Sequence, residues 1–196
     1  MPRNLLVVNN PDRWPLALAD VEVVAARTYL TDARYSALRN CKVYNLCRSY
    51  RYQSLGYYVS LLAEARGHKP LPRISTIQDI KSQSLRRVVS SDLDDLIQKS
   101  LGHLNHNTFV LSVYFSRNVA KRYDRLSRQL FNLFPVPLLR AEFSKTDEGW
   151  GVQGIAPISA NEIPDEHRPM VVERAKEYFG GRTHRPTPKT PARYSM

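Results

Sequence analysis

No apolar run in this chain of 196 residues approaches the roughly 20 residues that a bilayer-spanning helix needs. The amino terminus, MPRNLLVVNN, starts basic, but its apolar run extends only from Leu5 to Val8. That is too short for a signal-peptide core and suits a first buried strand. A cytoplasmic protein without membrane contact is expected. Cysteine is scarce: Cys41 and Cys47 have neither zinc-knuckle spacing nor a histidine close by, which suits buried free thiols.

The short signatures of several enzyme classes are missing too. The chain has no G-x-x-x-x-G-K-[ST] phosphate loop, no G-x-G-x-x-G after a strand and no H-E-x-x-H, and it lacks a G-x-S-x-G nucleophile elbow. His68, His103, His106, His167 and His184 are scattered. His103 and His106 lie in a Gly-Asn-rich connection and read as a solvated turn rather than a metal site. Asp92, Asp94 and Asp95 read as a solvated helix face, and Asp147 with Glu148 as a hairpin turn. No arrangement supplies a nucleophile, a base and an oxyanion donor together, so no catalytic or metal-binding residue is assigned.

Negative charge is absent over one long stretch. Between Asp32 and Glu64 there is no carboxylate, while Arg34, Arg39, Lys42, Arg48 and Arg51 all occur. The net charge is +11, which raises the question of nucleic acid. Part of the excess lies in the tail GRTHRPTPKTPARYSM, with Arg182, Arg185, Lys189 and Arg193 and no acid. With Gly, Pro and Thr and no apolar periodicity, residues 181–196 are expected to be a disordered arm making weak, non-specific nucleic-acid contacts. The second cluster sits in a structured region and needs its own explanation.

The apolar pattern places elements around that cluster. LLVV, bounded by Asn9, Asn10 and Pro11, is a short buried-strand run of the kind found in parallel sheets. DVEVVAA and CKVYNLC read as further strands, DARYSALRN as a short helix capped by Asp32, and KPLPRIST as a fourth strand broken by prolines. SLGYYVSLLAEARG places Leu55, Tyr58, Val59, Leu62 and Ala65 on one helical stripe that should be buried, with Gly67 to end it. A polar helix follows from about Ser84 to Leu101. The alternation implies a small α/β unit with a parallel sheet over residues 1–104. From Asn105 the rhythm changes to β-α-β-β-α: TFVLSVYF, a helix marked by Val119, Tyr123, Leu126, Leu130 and Phe134, then PLLRAEFS and WGVQGIAPI around a turn at Thr146–Gly149, and a last helix opening near Pro164 and Asp165. The fold class is therefore α/β to α+β, with 105–180 as the second unit.

In an open parallel sheet, ligands collect outside the carboxyl ends of the strands. Strand one ends in Asn9-Asn10 and strand three in Cys47-Arg48-Ser49-Tyr50. If these strands are neighbours, both ends face one crevice. Ser54 would cap the next helix, whose free amides favour an anion, and Gly56 would let a ligand approach. Arg48, or alternatively Arg51, would hold a carboxylate or phosphate in a forked contact. Asn9, Asn10, Arg48, Ser49, Tyr50, Tyr52, Gln53, Ser54 and Gly56 are thus the candidate ligand-binding set, suited to an anionic amino acid or short peptide.

The stretches VVNNPDRWPL, KVYNLCRSYRYQSLGYYVSLLAEARGHKPLP, STIQDIK and LFPVPLLRAEF…IAPISANEIPDEHRP resemble the amino-terminal domain found in front of RimK-like ATP-grasp ligases, from about Leu5 to Phe179. The resemblance implies an α+β domain associated with an ATP-grasp module, fused or separate, that makes small peptides or adds amino acids to an acceptor. ATP and magnesium are implied for that module alone, with no cofactor in this chain. The residues end before the place where the module would begin, so no ATP-clamping lysine pair or magnesium-binding set is carried over. A non-catalytic accessory or substrate-recognition role is the leading expectation. The alternative is a basic nucleic-acid-binding module, against which stand the missing zinc-finger, helix-turn-helix and RNP signatures. An independent amino-acid enzyme is third.

Overall fold

The computed structural model describes residues 3–16, 18, 21–82 and 92–180. The first sheet is parallel. β1 (Arg3–Val8) lies between β2 (Glu22–Ala25) and β3 (Cys41–Asn45), and β4 (Lys69–Leu71) pairs with the far side of β3, in the order β2-β1-β3-β4. In register, Leu6 stands beside Val23 on one side and Tyr44 on the other. Leu5, Leu6 and Val7 are fully buried, as an all-apolar run should be in a central strand covered on both faces. The chain leaves β1 toward β2 and comes back to β3 on β1's other side, so the order reverses between β1 and β3.

Two short helices, α1 (Ala26–Thr31) and α2 (Ala33–Ser36), link β2 to β3, and α3 (Leu55–Ala65) links β3 to β4. Asp32 caps α2 by accepting from the Arg34 amide at 2.9 Å. The strand expected in KPLPRIST is only three residues long, and α4 (Ile74–Lys81) already opens at Ile74. Of the polar helix expected over 84–101, residues 84–91 lie outside the described residues and the rest is α5 (Asp94–Leu101).

The buried face of α3 corrects the stripe read from the sequence. Gly56, Val59, Ser60 and Ala63 face the core, while Leu55 and Tyr58 are 37% and 38% exposed. The cause is polar. Asn45 at the end of β3 is fully buried and donates to the Gly56 carbonyl at 2.7 Å and the Ser60 hydroxyl at 2.9 Å. A buried amide must be satisfied, and only a small-residue face lets α3 come that close. Tyr58→Ala is accordingly expected to cost less than about 1 kcal/mol in chemical denaturation, not the larger loss of a core tyrosine.

The second sheet is antiparallel, β5 (Thr108–Tyr114), β6 (Leu138–Thr146) and β7 (Gly149–Pro157) in that order. The β6–β7 hairpin turns where the sequence places it, with Gly149 at φ +113. On β6, Leu139, Ala141 and Phe143 are buried between Arg140, Glu142 and Ser144, the alternation of a half-covered strand. α6 (Asp124–Leu133) packs on β5, and α5 is tied to β7. Gln98 in α5 accepts from the Trp150 amide at 3.0 Å and donates to its carbonyl at 2.8 Å. α7 (Arg168–Phe179) joins the two sheets: Phe179 meets Tyr44 of β3 at 4.6 Å and Phe115, just past β5, at 5.5 Å between ring centres. Among the described residues, no helix is long and apolar enough to cross a membrane.

His68 closes the junction of α1 and α3. Its Nδ1 accepts from the Tyr29 hydroxyl at 2.8 Å and its Nε2 faces the Leu38 carbonyl at 3.2 Å, which fits a neutral ring with the proton on Nε2. Burial, aided by Arg66 and Arg39, lowers its pKa below the ordinary 6.5, against the opposing Leu38 bond. The unfolded chain then binds a proton that the folded chain refuses. This contribution to stability is complete above about pH 6.5 and fades as pH falls through that value toward the folded pKa. Urea denaturation between about pH 7.5 and about pH 5.5 should show a stability loss that His68→Gln reduces.

Candidate functional site

The ends of β1 and β3 meet at the reversal of strand order, where open parallel sheets collect ligands. The ladder runs one residue past β3, with the Leu46 amide donating to the Val7 carbonyl at 2.8 Å. Beyond it, the Arg48 amide donates to Asn9 Oδ1 at 2.7 Å. Asn10 accepts from the Asp12 amide at 2.9 Å and caps the short turn Pro11–Arg13. That turn carries Arg13 and Trp14 over the strand ends. The opposite wall is the segment leaving β7, Ser159 to Asn161. Together they enclose a crevice of about 30 Å³.

Of the nine residues expected to line one crevice, Asn9, Asn10 and Arg48 do so. Ser49, Tyr50, Tyr52, Gln53, Ser54 and Gly56 do not line it and brace the connection into α3. Tyr50 is buried, and its hydroxyl donates to the Asn45 carbonyl at 2.6 Å. Burial raises its pKa well above the usual tyrosine value. Ser49 Oγ accepts from the Arg51 amide at 3.2 Å. The Ser54 amide closes a turn onto the Arg51 carbonyl at 2.9 Å, and Gln53 takes φ +65 there, the left-handed value of the third residue in a type II turn. Ser54 does cap α3, accepting from the Tyr57 amide at 3.3 Å and donating to the Ser49 carbonyl at 2.8 Å. Gly56 gives its space to Ser49, Cys47 and Tyr50 rather than to a ligand. Tyr52 is 70% exposed.

Besides the strand-end residues Val8 and Leu46, the crevice residues outside the candidate set are Arg13, Trp14 and Ser159–Asn161. Arg13 and Trp14 had a signal, a guanidinium and an indole directly after a strand end. Ser159–Asn161 had none, because only the three-dimensional return of β7 brings them there. Among the described residues, the lining includes no acid, and neither Arg13 nor Arg48 has an ion-pair partner. The Trp14 Nε1 is shielded from solvent and has no acceptor among those residues. The lining thus sets two guanidinium groups and an indole N–H beside the amides of Asn9, Asn10 and Asn161 and the Ser159 hydroxyl.

The two thiols do not take part. Cys41 and Cys47 are free and buried, and burial pushes their pKa values up to about 11 and about 12, which suppresses the reactive thiolate. Among the described residues, no three His, Cys, Asp or Glu side chains gather in a group that could hold a metal ion.

A family profile described as the RimK-like ATPgrasp N-terminal domain matches residues 26–174. Arg48 and Ser159–Asn161 fall inside that span, whereas Asn9, Asn10, Arg13 and Trp14 precede it. No curated protein matches the chain.

Proposed function

The chain belongs to the RimK-like ATP-grasp N-terminal domain family, and from that premise we propose that it is a substrate-recognition accessory to an ATP-grasp carboxylate–amine ligase. It presents a small amino acid or peptide to the ligase during peptide synthesis or amino-acid addition. ATP and magnesium chemistry belongs to the ligase module, which would form an acyl phosphate for an amine to attack. Asn9, Asn10 and Arg48 are the ligand-binding residues carried into this proposal, from the set first read in the sequence.

The observation that carries the reading is the crevice at the strand-order reversal, open, donor-rich and free of acids among the described residues. Such a site orients an anionic group, but it contains no pair of groups that could act as acid and base on it. The test is ATP-dependent ligation, measured with the ATP-grasp module alone, this chain alone, and both together, over a panel of amino acids. Support would be ligation that requires the module and changes its amino-acid preference when the chain is present. ATP turnover by the chain alone, or identical preference with and without it, would contradict the reading.

A further inference from the structure

The geometry points to a seat for a single carboxylate group, read by Arg13, Arg48 and the Trp14 indole, with the rest of the ligand outside the crevice. This deepens the substrate-recognition reading and rests on it for its role in ligation, but not for the binding itself.

Size comes first. A volume of about 30 Å³ exceeds the roughly 10–15 Å³ that one water molecule needs. It suits one small polar head, with the rest of a ligand lying in the open mouth. Polarity comes next. Trp14 borders the crevice, and its Nε1 is held out of water with no acceptor among the described residues, so an oxygen that reached it would remove a desolvation cost. The Asn9 side chain has its oxygen committed to the Arg48 amide, which leaves its NH2 as a further donor at the rim. Arg48 and Arg13 then supply countercharge from two separate elements, the β3 exit and the turn after β1. A flat group with two oxygens suits a guanidinium fork and an indole N–H together. The opposite wall comes from beyond β7, so an occupant would touch both halves of the fold at once.

Two sources present such a group, a free amino acid and the carboxyl end of a peptide. The 15N-labelled full chain can be titrated with L-alanine, with trialanine as free acid and as carboxyl-terminal amide, and with inorganic phosphate, at constant ionic strength. The readout is the pair of indole N–H resonances. Trp150, whose Nε1 is also shielded and has no acceptor among the described residues, lies on β7 bonded to Gln98 and serves as the internal control. Alanine and free-acid trialanine are expected to move the Trp14 resonance saturably and leave that of Trp150 in place, while the amide does neither. Tighter binding of trialanine identifies a peptide end as the source, and equal binding a free amino acid. Arg13→Gln and Arg48→Gln should each weaken binding by about one to two decades without changing the melting temperature. Trp14→Phe removes and so assigns its resonance, and should weaken trialanine binding in calorimetry.

The inference is overturned if no carboxylate gives a saturable Trp14 shift, if the amide binds as well as the acid, or if phosphate binds more tightly than either acid. A Trp14 shift in a chain that leaves ligation unaffected would keep the carboxylate seat and remove its role as substrate reader. Altered ligation without any Trp14 shift would do the reverse.

Discussion

Gly56→Ala is expected to lower the melting temperature by about 6–12 °C, the equivalent of about 3 kcal/mol in a chain of this size. On an exposed helix the same change would stabilise by about 1 kcal/mol, so the sign itself is diagnostic. Position 56 is buried in the first turn of α3. An added Cβ would run into the Ser49 carbonyl oxygen and would lie 2.8 Å from the Cys47 Cβ and 3.0 Å from Tyr50 Cδ1. The first is backbone, and the last belongs to a ring pinned by its hydroxyl to the Asn45 carbonyl. Neither can swing away. Relief requires moving the connection that also carries Arg48, so a variant that remains folded should bind carboxylate less well. Thermal unfolding followed by circular dichroism checks the first claim.

Asn45→Asp is expected to destabilise by about 3–5 kcal/mol at neutral pH, enough to leave much of the chain unfolded. The side chain keeps its size but exchanges its NH2 for a second acceptor. The wild-type Nδ2 donates to the Gly56 carbonyl and to Ser60 Oγ, and Ser60 passes its own proton to the Pro72 carbonyl at 2.7 Å. The Oδ1 accepts from the Cys47 amide at 3.2 Å. Three elements therefore converge on one amide: the end of β3, the first two turns of α3 and the chain after β4. An aspartate would set a buried negative charge against the Gly56 oxygen and strand two acceptors. Urea denaturation, with Ser60→Ala as the milder companion, measures the network.

The parallel sheet, the hairpin and the meeting of Asn9 with Arg48 were legible in the sequence, for local reasons. LLVV has no polar face to spare, and strand ends crowded with Asn, Arg and Ser mark the rim of a sheet. The α3 stripe was not legible. Leu55, Tyr58 and Leu62 outrank Gly56, Ser60 and Ala63 in apolarity, yet the helix turns by the demand of one buried amide on another element. Helix α4 was hidden by the prolines of KPLPRIST, one inside β4 and one just past it, both ahead of the first helical turn at Ile74. Gly56 was read as room for a ligand because sequence alone cannot say whose atoms fill the space beside a glycine. The far wall of the crevice lay beyond any local signal, since Ser159 follows Arg48 by more than half the chain.

The most direct measurement is the initial rate of ATP-dependent ligation by the chain together with its ATP-grasp module, wild type against Arg48→Gln, with the amino-acid or peptide substrate and ATP varied in turn. A residue that reads the substrate carboxylate equally in ground and transition states should raise the KM for that substrate by about 10- to 100-fold. The kcat and the KM for ATP should stay unchanged. An unchanged substrate KM, or a loss confined to the KM for ATP, would contradict the account.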